Sequence, residues 1–305
     1  MPKKQEKSHA PLQIGLVISY YGSTVSVETA DGGIIPCHLR RNQELPVVGD
    51  EVEWRPEAGG DNGIVAGILP RRSMLARADA RGKMKPIAAN IDVLVIVMPP
   101  PPAFSVQLVD RYLVASELLN IQAALVVNKV DLMSESDLKV LDELVQPYQG
   151  VPYPVILSSI ISEKGLNDLD KFLSGRRGVL VGPSGAGKSS LIAALGSEED
   201  VKVGEVAATG AGKHTTTATR LYHLRDGGAL IDSPGVRDFN LWPVTGAEVL
   251  KGFKEFKQYM SGCRFRDCTH AVEPGCAVQQ AVMDGRIHPE RFKSYQELLK
   301  INKKR

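Results

Sequence analysis

Residues 177–190 read RGVLVGPSGAGKSS, and LIAAL follows at 191–195. Gly178 to Val181 has the composition of a short buried strand, and Leu191 to Leu195 that of a helix. Between them stand Gly182, Pro183, Ser184, Gly185, Ala186, Gly187, Lys188, Ser189 and Ser190. Strand, glycine-rich loop and helix form the context in which G-x4-G-K-S has a mechanism. The glycines let backbone N–H groups curl around phosphate oxygens with no Cβ in the way. The helix start adds unpaired donors and the positive end of a dipole. Lys188 is spaced to reach the β- and γ-phosphates, and Ser189 to offer its hydroxyl to Mg²⁺. A plain turn between any strand and helix is the bland alternative, and the Lys-Ser pair at the helix start makes it the weaker one. The stretch predicts a nucleoside triphosphate site.

Upstream, strands and helices alternate. Ile91 to Val97 is a β-branched strand, Ser105 to Leu119 a helix, and Ala123 to Val127 a second buried strand. Helix Ser136 to Val145, strand Tyr153 to Leu157 and helix Leu166 to Phe172 follow before the glycine-rich loop. This alternation predicts a parallel sheet with helices on both faces. Ligands of such sheets bind at the carboxyl ends of the strands.

One strand ends there in Asn128-Lys129-Val130-Asp131, which matches N-K-x-D. A carboxylate at the fourth position accepts from guanine N1–H and the 2-amino group. Adenine would leave that acceptor unpaired. Asn128 can brace the loop and meet N7, while the Lys129 stem covers the base. Ser158 and Ser159 stand where GTPases carry Ser-Ala, whose backbone N–H bonds guanine O6. Further on, Asp232-Ser233-Pro234-Gly235 fits D-x-x-G, with Asp232 holding Mg²⁺ through water and Gly235 touching the γ-phosphate. Lys213-His214-Thr215-Thr216-Thr217 occupies the switch position. One of its threonines should ligate Mg²⁺, and spacing does not decide which. N-K-x-D and Ser-Ser precede the glycine-rich loop here, the reverse of the usual order, so the domain is expected to be circularly permuted.

Residues 11–75 hold five short strand-like segments with turn punctuation and no long helix. They predict a small closed barrel of the OB type, a fold that often binds oligonucleotides. Cys37 lies in one strand, far from the other cysteines, and is expected to be a packed thiol. Residues 71–90 carry six basic residues without periodicity and are expected to form a linker.

Near the end, Cys263-x4-Cys268-x-His270-x5-Cys276 gathers three thiols and an imidazole within fourteen residues. Three thiolates and one imidazole make a closed tetrahedral Zn²⁺ site. Phe253, Phe256, Tyr259 and Phe265, with a final helix, are the expected core of a small zinc-binding domain.

With 43% apolar and 24% charged residues in 305, the chain has the composition of an ordinary globular protein of two or three domains. The longest fully apolar run is Val93 to Met98, too short to cross a bilayer. Residues 1–9 lack a signal-peptide core, so the expected location is the cytoplasm. The net charge of +2 is uneven: residues 245–305 carry an excess of five positive charges, residues 1–9 an excess of two. Basic ends on a mildly acidic centre suggest a polyanionic partner, with solvated tails as the alternative. The expected division is a basic tail at 1–10, a barrel at 11–75, a permuted GTPase domain at 76–240 and a zinc-binding domain at 241–305.

The permuted order, the leading barrel and the trailing cysteine-histidine module together resemble the ribosome small-subunit-dependent GTPase A family of bacteria. Asp110-Arg111-Tyr112-Leu113 and Gly212-Lys213-His214-Thr215-Thr216 resemble that family too, while Ser233 and Ser159 depart from its commoner residues. The resemblance implies a GTPase that binds the small subunit late in its maturation and leaves on hydrolysis; separately, a monomer with no membrane partner is expected. It also implies that barrel and zinc domain contact rRNA and that His214 handles the attacking water. Two rivals are a phosphotransferase acting on a metabolite and an RNA-binding protein with a regulatory or relic nucleotide site. The first lacks a candidate acceptor base, and the intact Lys188, Ser189, Asp232 and Asn128 argue against the second.

Overall fold

Alternation of apolar and polar residues builds the first unit. Its strands are β1 (Gln13–Tyr20), β2 (Thr24–Glu28), β3 (Ile34–His38), β4 (Glu51–Pro56) and β5 (Gly63–Ile68). They pair in the order 1-2-3-5-4, and β1 also pairs with β4, which closes a five-stranded barrel. Closure leaves no open edge. Val17, Val25, Val27, Val52, Trp54 and Val65 fill the interior together with Cys37. Burial pushes the Cys37 thiol up to about 11, so it packs as a small apolar group. The computed structural model describes residues 11–40, 44–57, 61–78, 84–149, 151–197, 219–232 and 244–303.

Residues 71–90 are not a linker. β6 (Met74–Ala78) and β7 (Met84–Ala89) pair antiparallel as a separate two-stranded ribbon. Leu75 and Ala76 on one strand and Ile87, Ala88 and Ala89 on the other are buried. These apolar residues cluster at the base of the ribbon, so no alternation shows along its length. Arg71 grips the fully buried Asp50 with two nitrogens, at 2.6 and 2.8 Å, and fixes the ribbon to the barrel. Arg72 pairs with Asp92 at 2.8 Å on the other side.

The central sheet has β8 (Val93–Met98), β9 (Gln122–Asn128), β10 (Val155–Ser158), β11 (Arg177–Val181) and β13 (Ala229–Asp232) in the parallel order 10-9-8-11-13. Every residue of β8 is buried, as befits a parallel strand covered on both faces. Leu94, Ile96 and Met98 share one core with α1 (Val106–Leu118) and α2 (Glu135–Gln149). Val93, Val95 and Val97 share the other with α3 (Leu166–Leu173) and α4 (Lys188–Leu195).

The short strand β12 (Arg220–His223) departs from the expected all-parallel pattern. It runs antiparallel to β13 and meets barrel strand β1 at Ser19 and Arg220. His223 Nε2 also lies 2.9 Å from the Glu28 carboxylate, so barrel and central sheet are continuous through this edge.

The last unit comprises α5 (Gly246–Lys251), α6 (Lys257–Met260), α7 (Ala277–Met283) and α8 (Pro289–Lys303). Thr245 and Glu248 form a reciprocal capping box that fixes the start of α5. Phe253, Phe256 and Tyr295 meet at ring-centroid distances of 5.2–5.3 Å. That cluster is continuous with Val109 and Leu113 of α1. Phe265, expected in this core, is 40% exposed with the Arg264 guanidinium over its ring. Among the described residues no helix is long and apolar enough to cross a membrane.

Candidate functional site

β11 delivers the glycine-rich loop and α4 receives it. Gly182 has φ +139°, and a Cβ there would lie 2.0 Å from Val97 O. Gly187 has φ +92°, and its Cβ would lie 2.3 Å from the Asn128 amide nitrogen. No other residue fits at either point. The loop therefore packs tightly against the carboxyl ends of β8 and β9 before α4 begins. Lys188 is buried there, its ammonium donating to Gly182 O and Pro183 O, both at 2.8 Å. Ser189 Oγ lies 3.4 Å from Asp232 Oδ2 at the end of β13. The start of α4 and the end of β13 thus bring a hydroxyl and a carboxylate together beside the glycine-rich loop.

Asn128 ends β9, is fully buried, and donates from Nδ2 to Ala186 O at 3.0 Å. This bond ties the N-K-x-D loop to the glycine-rich loop. Lys129 adopts the left-handed conformation, φ +66°, and turns the chain so that Val130 and Asp131 open a short 3₁₀ turn. Ser158 at the end of β10 donates to Asn128 Oδ1 at 3.1 Å. The Ser159 hydroxyl donates to Asp131 Oδ1 at 2.6 Å and accepts from Ser162 N–H at 3.1 Å. Sequence reasoning did not anticipate this clamp on Asp131, although two adjacent serines at a strand end were its visible signal. The Ser159 N–H is already spent on Lys164 O at 3.0 Å. The next residue, Ile160, has a backbone N–H with no partner among the described residues. Lys213, His214, Thr215, Thr216, Ser233 and Gly235 lie outside the described residues.

The second centre is at the far end of the chain. Ligand atoms of Cys263, Cys268, His270 and Cys276 all lie within 4.8 Å of one another. His270 Nδ1 is 3.5 Å from Cys263 Sγ and 3.4 Å from Cys276 Sγ, and those two sulfurs are 4.0 Å apart. A tetrahedral Zn²⁺ with bonds of about 2.3 Å to sulfur and about 2.0 Å to nitrogen requires ligand atoms about 3.5–3.8 Å apart. The donor set and spacing fit that ion. Without a cation, burial and the neighbouring thiols push Cys268 up to about 12, and a bound metal reverses that balance.

Comparison with known proteins adds an independent line. A family described as RsgA GTPase matches residues 68–242. The small ribosomal subunit biogenesis GTPase RsgA of Pseudomonas aeruginosa (strain LESB58) is 47% identical over 291 residues, covering 95% of this chain and 85% of the relative. Its namesake in Photorhabdus laumondii is 44% identical over 306 residues, covering 98% of this chain and 87% of the relative. Two solved structures superimpose on nearly the whole chain. YjeQ from Thermotoga maritima gives a TM-score of 0.78 at 30% identity, covering 97% of this chain and 100% of that one. YloQ, described as a circularly permuted GTPase, gives 0.74 at 28% identity, covering 99% of this chain and 98% of that one.

Proposed function

Because the chain belongs to the RsgA GTPase family, we propose that it hydrolyses GTP while bound to the small ribosomal subunit during that subunit's maturation, and that hydrolysis releases it. The observation that carries the GTPase reading is the Asn128 amide bond to Ala186 O. It joins a guanine-reading loop to a phosphate-binding loop across the intervening strand β8, which a relic site would have no reason to keep. GTP sits with its phosphates on the N–H groups of residues 182–190 and on Lys188. Asp131 accepts from N1–H and the 2-amino group of guanine, and the Lys129 stem covers the base. Since the Ser159 N–H is engaged with Lys164, the O6 donor is the N–H of Ile160, one residue later than expected. Ser159 contributes instead by holding Asp131.

Ser189 and Asp232 are the Mg²⁺ partners within the described residues, and Thr215 or Thr216 is the third candidate. Held there, Mg²⁺ would neutralise negative charge on the phosphates. One structural Zn²⁺ is assigned to Cys263, Cys268, His270 and Cys276. The permuted domain, 76–240, does the chemistry. The barrel, 11–75, and the zinc module, 241–305, take the rRNA contacts, and the protein acts as a cytoplasmic monomer. Exposed Leu12, Ile14, Tyr21 and Ile34 on the barrel and the Arg264–Phe265 pair beside the metal support these surfaces as partner-facing.

Hydrolysis needs a group to orient water. Ras-like GTPases use a glutamine directly after D-x-x-G, but Val236 stands there and has no polar side chain. His214, in a stretch rich in Gly and Thr, is the assigned group, and subunit binding orders it. Ordering a catalytic group contributes a factor of about 10² to 10⁴. GTP turnover measured with and without isolated small subunits tests this reading. The expected result is slow basal hydrolysis, subunit stimulation that weakens as salt rises, and loss of stimulation in His214→Ala at nearly unchanged GTP affinity. A His214→Ala protein that responds to subunits as the parent does would remove His214 from the mechanism. A parent that subunits fail to stimulate would remove the subunit.

A further inference from the structure

His270 is the one imidazole in the cysteine-histidine centre, and its ring is oriented without help at its far nitrogen. Metal-bound histidines commonly donate their second ring N–H to a carboxylate or carbonyl, which fixes the ring. Here Nδ1 faces the sulfurs, while Nε2 is buried with no hydrogen-bond partner among the described residues. The ring must therefore be set by the backbone that carries it. That backbone is unusual, because His270 has φ +59°, a left-handed conformation that L-residues with a Cβ disfavour.

The residues around it explain how the conformation is kept. The carboxylate of Glu273 accepts from Thr269 N–H at 2.9 Å, Thr269 Oγ1–H at 2.5 Å, Ala271 N–H at 3.0 Å and Val272 N–H at 3.1 Å. These donors bracket His270 on both sides. From the opposite direction α8 holds the flanking carbonyls, with Tyr295 OH on Thr269 O at 2.7 Å and Gln296 Nε2 on Ala271 O at 3.1 Å. Of the two peptides adjoining His270, the one before it is thus pinned at its C=O by Tyr295 and the one after it at its N–H by Glu273. The Thr269 hydroxyl and the backbone donors hold the Glu273 carboxyl ionised, down to about 2, so these are charge-assisted bonds.

We propose that Glu273 is the positioning residue of the metal centre: its carboxylate locks the 269–272 backbone in the turn from which His270 Nδ1 reaches the ion. This rests on the assignment of Cys263, Cys268, His270 and Cys276 to Zn²⁺. Glu273 hydrogen-bonds no ligand atom; its hold on the site is through the peptide frame on either side of His270. Glutamine at this position keeps the length, but it replaces one acceptor oxygen with an NH₂ that faces N–H donors. Outer partners of metal ligands typically change affinity by about 10- to 100-fold when removed, and Glu273→Gln should fall in that range.

The full-length chain, purified, stripped and reloaded with Zn²⁺ or Co²⁺, provides the test, with a chromophoric chelator in competition. Glu273→Gln is expected to lose Zn²⁺ affinity by about 10- to 100-fold. Its Co²⁺ d–d bands should shift as the imidazole drops out of the coordination sphere, while GTP affinity stays at the parent value. Thr269→Ala, which deletes one of the four donors and leaves the carboxylate, should show a smaller shift in the same direction. It keeps the test available if Glu273→Gln fails to fold. Parent-like Zn²⁺ affinity and Co²⁺ spectra in both variants would overturn the role of Glu273. So would a loss of metal affinity matched by an equal loss of GTP affinity, since that is general unfolding. A parent chain that takes up neither metal would instead sink the zinc assignment, which separates the two failures.

Discussion

A carboxylate that must read two donors on one edge of a purine is useful only if it cannot rotate. Asp131 is exposed, and the feature that holds it is the 2.6 Å hydrogen bond from Ser159, itself fully buried. Asp131→Asn swaps one acceptor oxygen for a donor facing guanine N–H groups, and should cost GTP binding about 2 kcal/mol or more. Titration with a fluorescent guanine nucleotide measures this directly, and parent-like affinity would mean that Asp131 does not read the base. Ser159→Ala leaves the carboxylate in place but free to turn. The expected loss is about 0.5–1.5 kcal/mol in GTP affinity, with fold stability nearly unchanged. If Ser159→Ala binds as tightly as the parent, the clamp is a local turn contact and nothing more. The type of these residues was legible from sequence, but their register was not. Ser158-Ser159-Ile160 fits the guanine-loop pattern in two ways, one residue apart. The engagement of the Ser159 N–H with Lys164 O is what supports the later register proposed above.

At the level of elements, legibility followed the strength of the repeat. The barrel strands alternate and β8 is apolar throughout, so each announces itself. The β6–β7 ribbon does not, because its buried residues sit at one end and four basic residues, Arg77, Arg81, Lys83 and Lys85, mask the rest. β12 is four residues long and is defined by its partners, β13 and the barrel, more than by its own composition. The metal loop is the opposite case, since ligand spacing alone identified it. What spacing could not convey is how the rest of the C-terminal unit packs on α1. Phe253, Phe256 and Tyr295 belong to the same core as Leu113, so α5 and α8 stay anchored without zinc. Chelation should therefore loosen residues 262–276 and leave α5, α8 and nucleotide binding intact. Hydrogen exchange with and without a chelator resolves this by segment. Loss of protection across α8 on the scale of the loop would show that the metal holds the whole unit.

Over the whole molecule, the question is what joins the C-terminal unit to the GTPase domain besides the covalent link that follows the D-x-x-G segment. Arg291 of α8 answers it. Its side chain is fully buried and meets Asp110 of α1, also fully buried, through Nη1. It further donates to Glu255 at 2.7 and 3.2 Å and to Gly252 O at 3.0 Å, with Phe253 beneath the guanidinium at 4.3 Å. Tyr148 OH donates to the same Asp110 oxygen at 3.0 Å. Burial disfavours the charge on both partners: it drives Asp110 up, and it works against Arg291, whose two carboxylates more than offset it. The ionised pair is the form the geometry supports, since a guanidinium keeps its proton in proteins and Tyr148 also donates to the carboxylate. Arg291→Met removes one partner and strands the Asp110 carboxylate in the core, a change that typically costs about 3–5 kcal/mol. Asp110→Leu combined with Arg291→Met removes both charges. It should recover part of that loss, because well-packed apolar replacements of a buried pair are often neutral or better. Urea unfolding of the parent, the single and the double variant measures all three. The single variant should also uncouple the C-terminal unit, seen as a separate early transition, if the pair is what joins the units. One cooperative transition in Arg291→Met, within about 1 kcal/mol of the parent, would mean that the shared apolar core alone joins them and that Arg291 with Asp110 is dispensable.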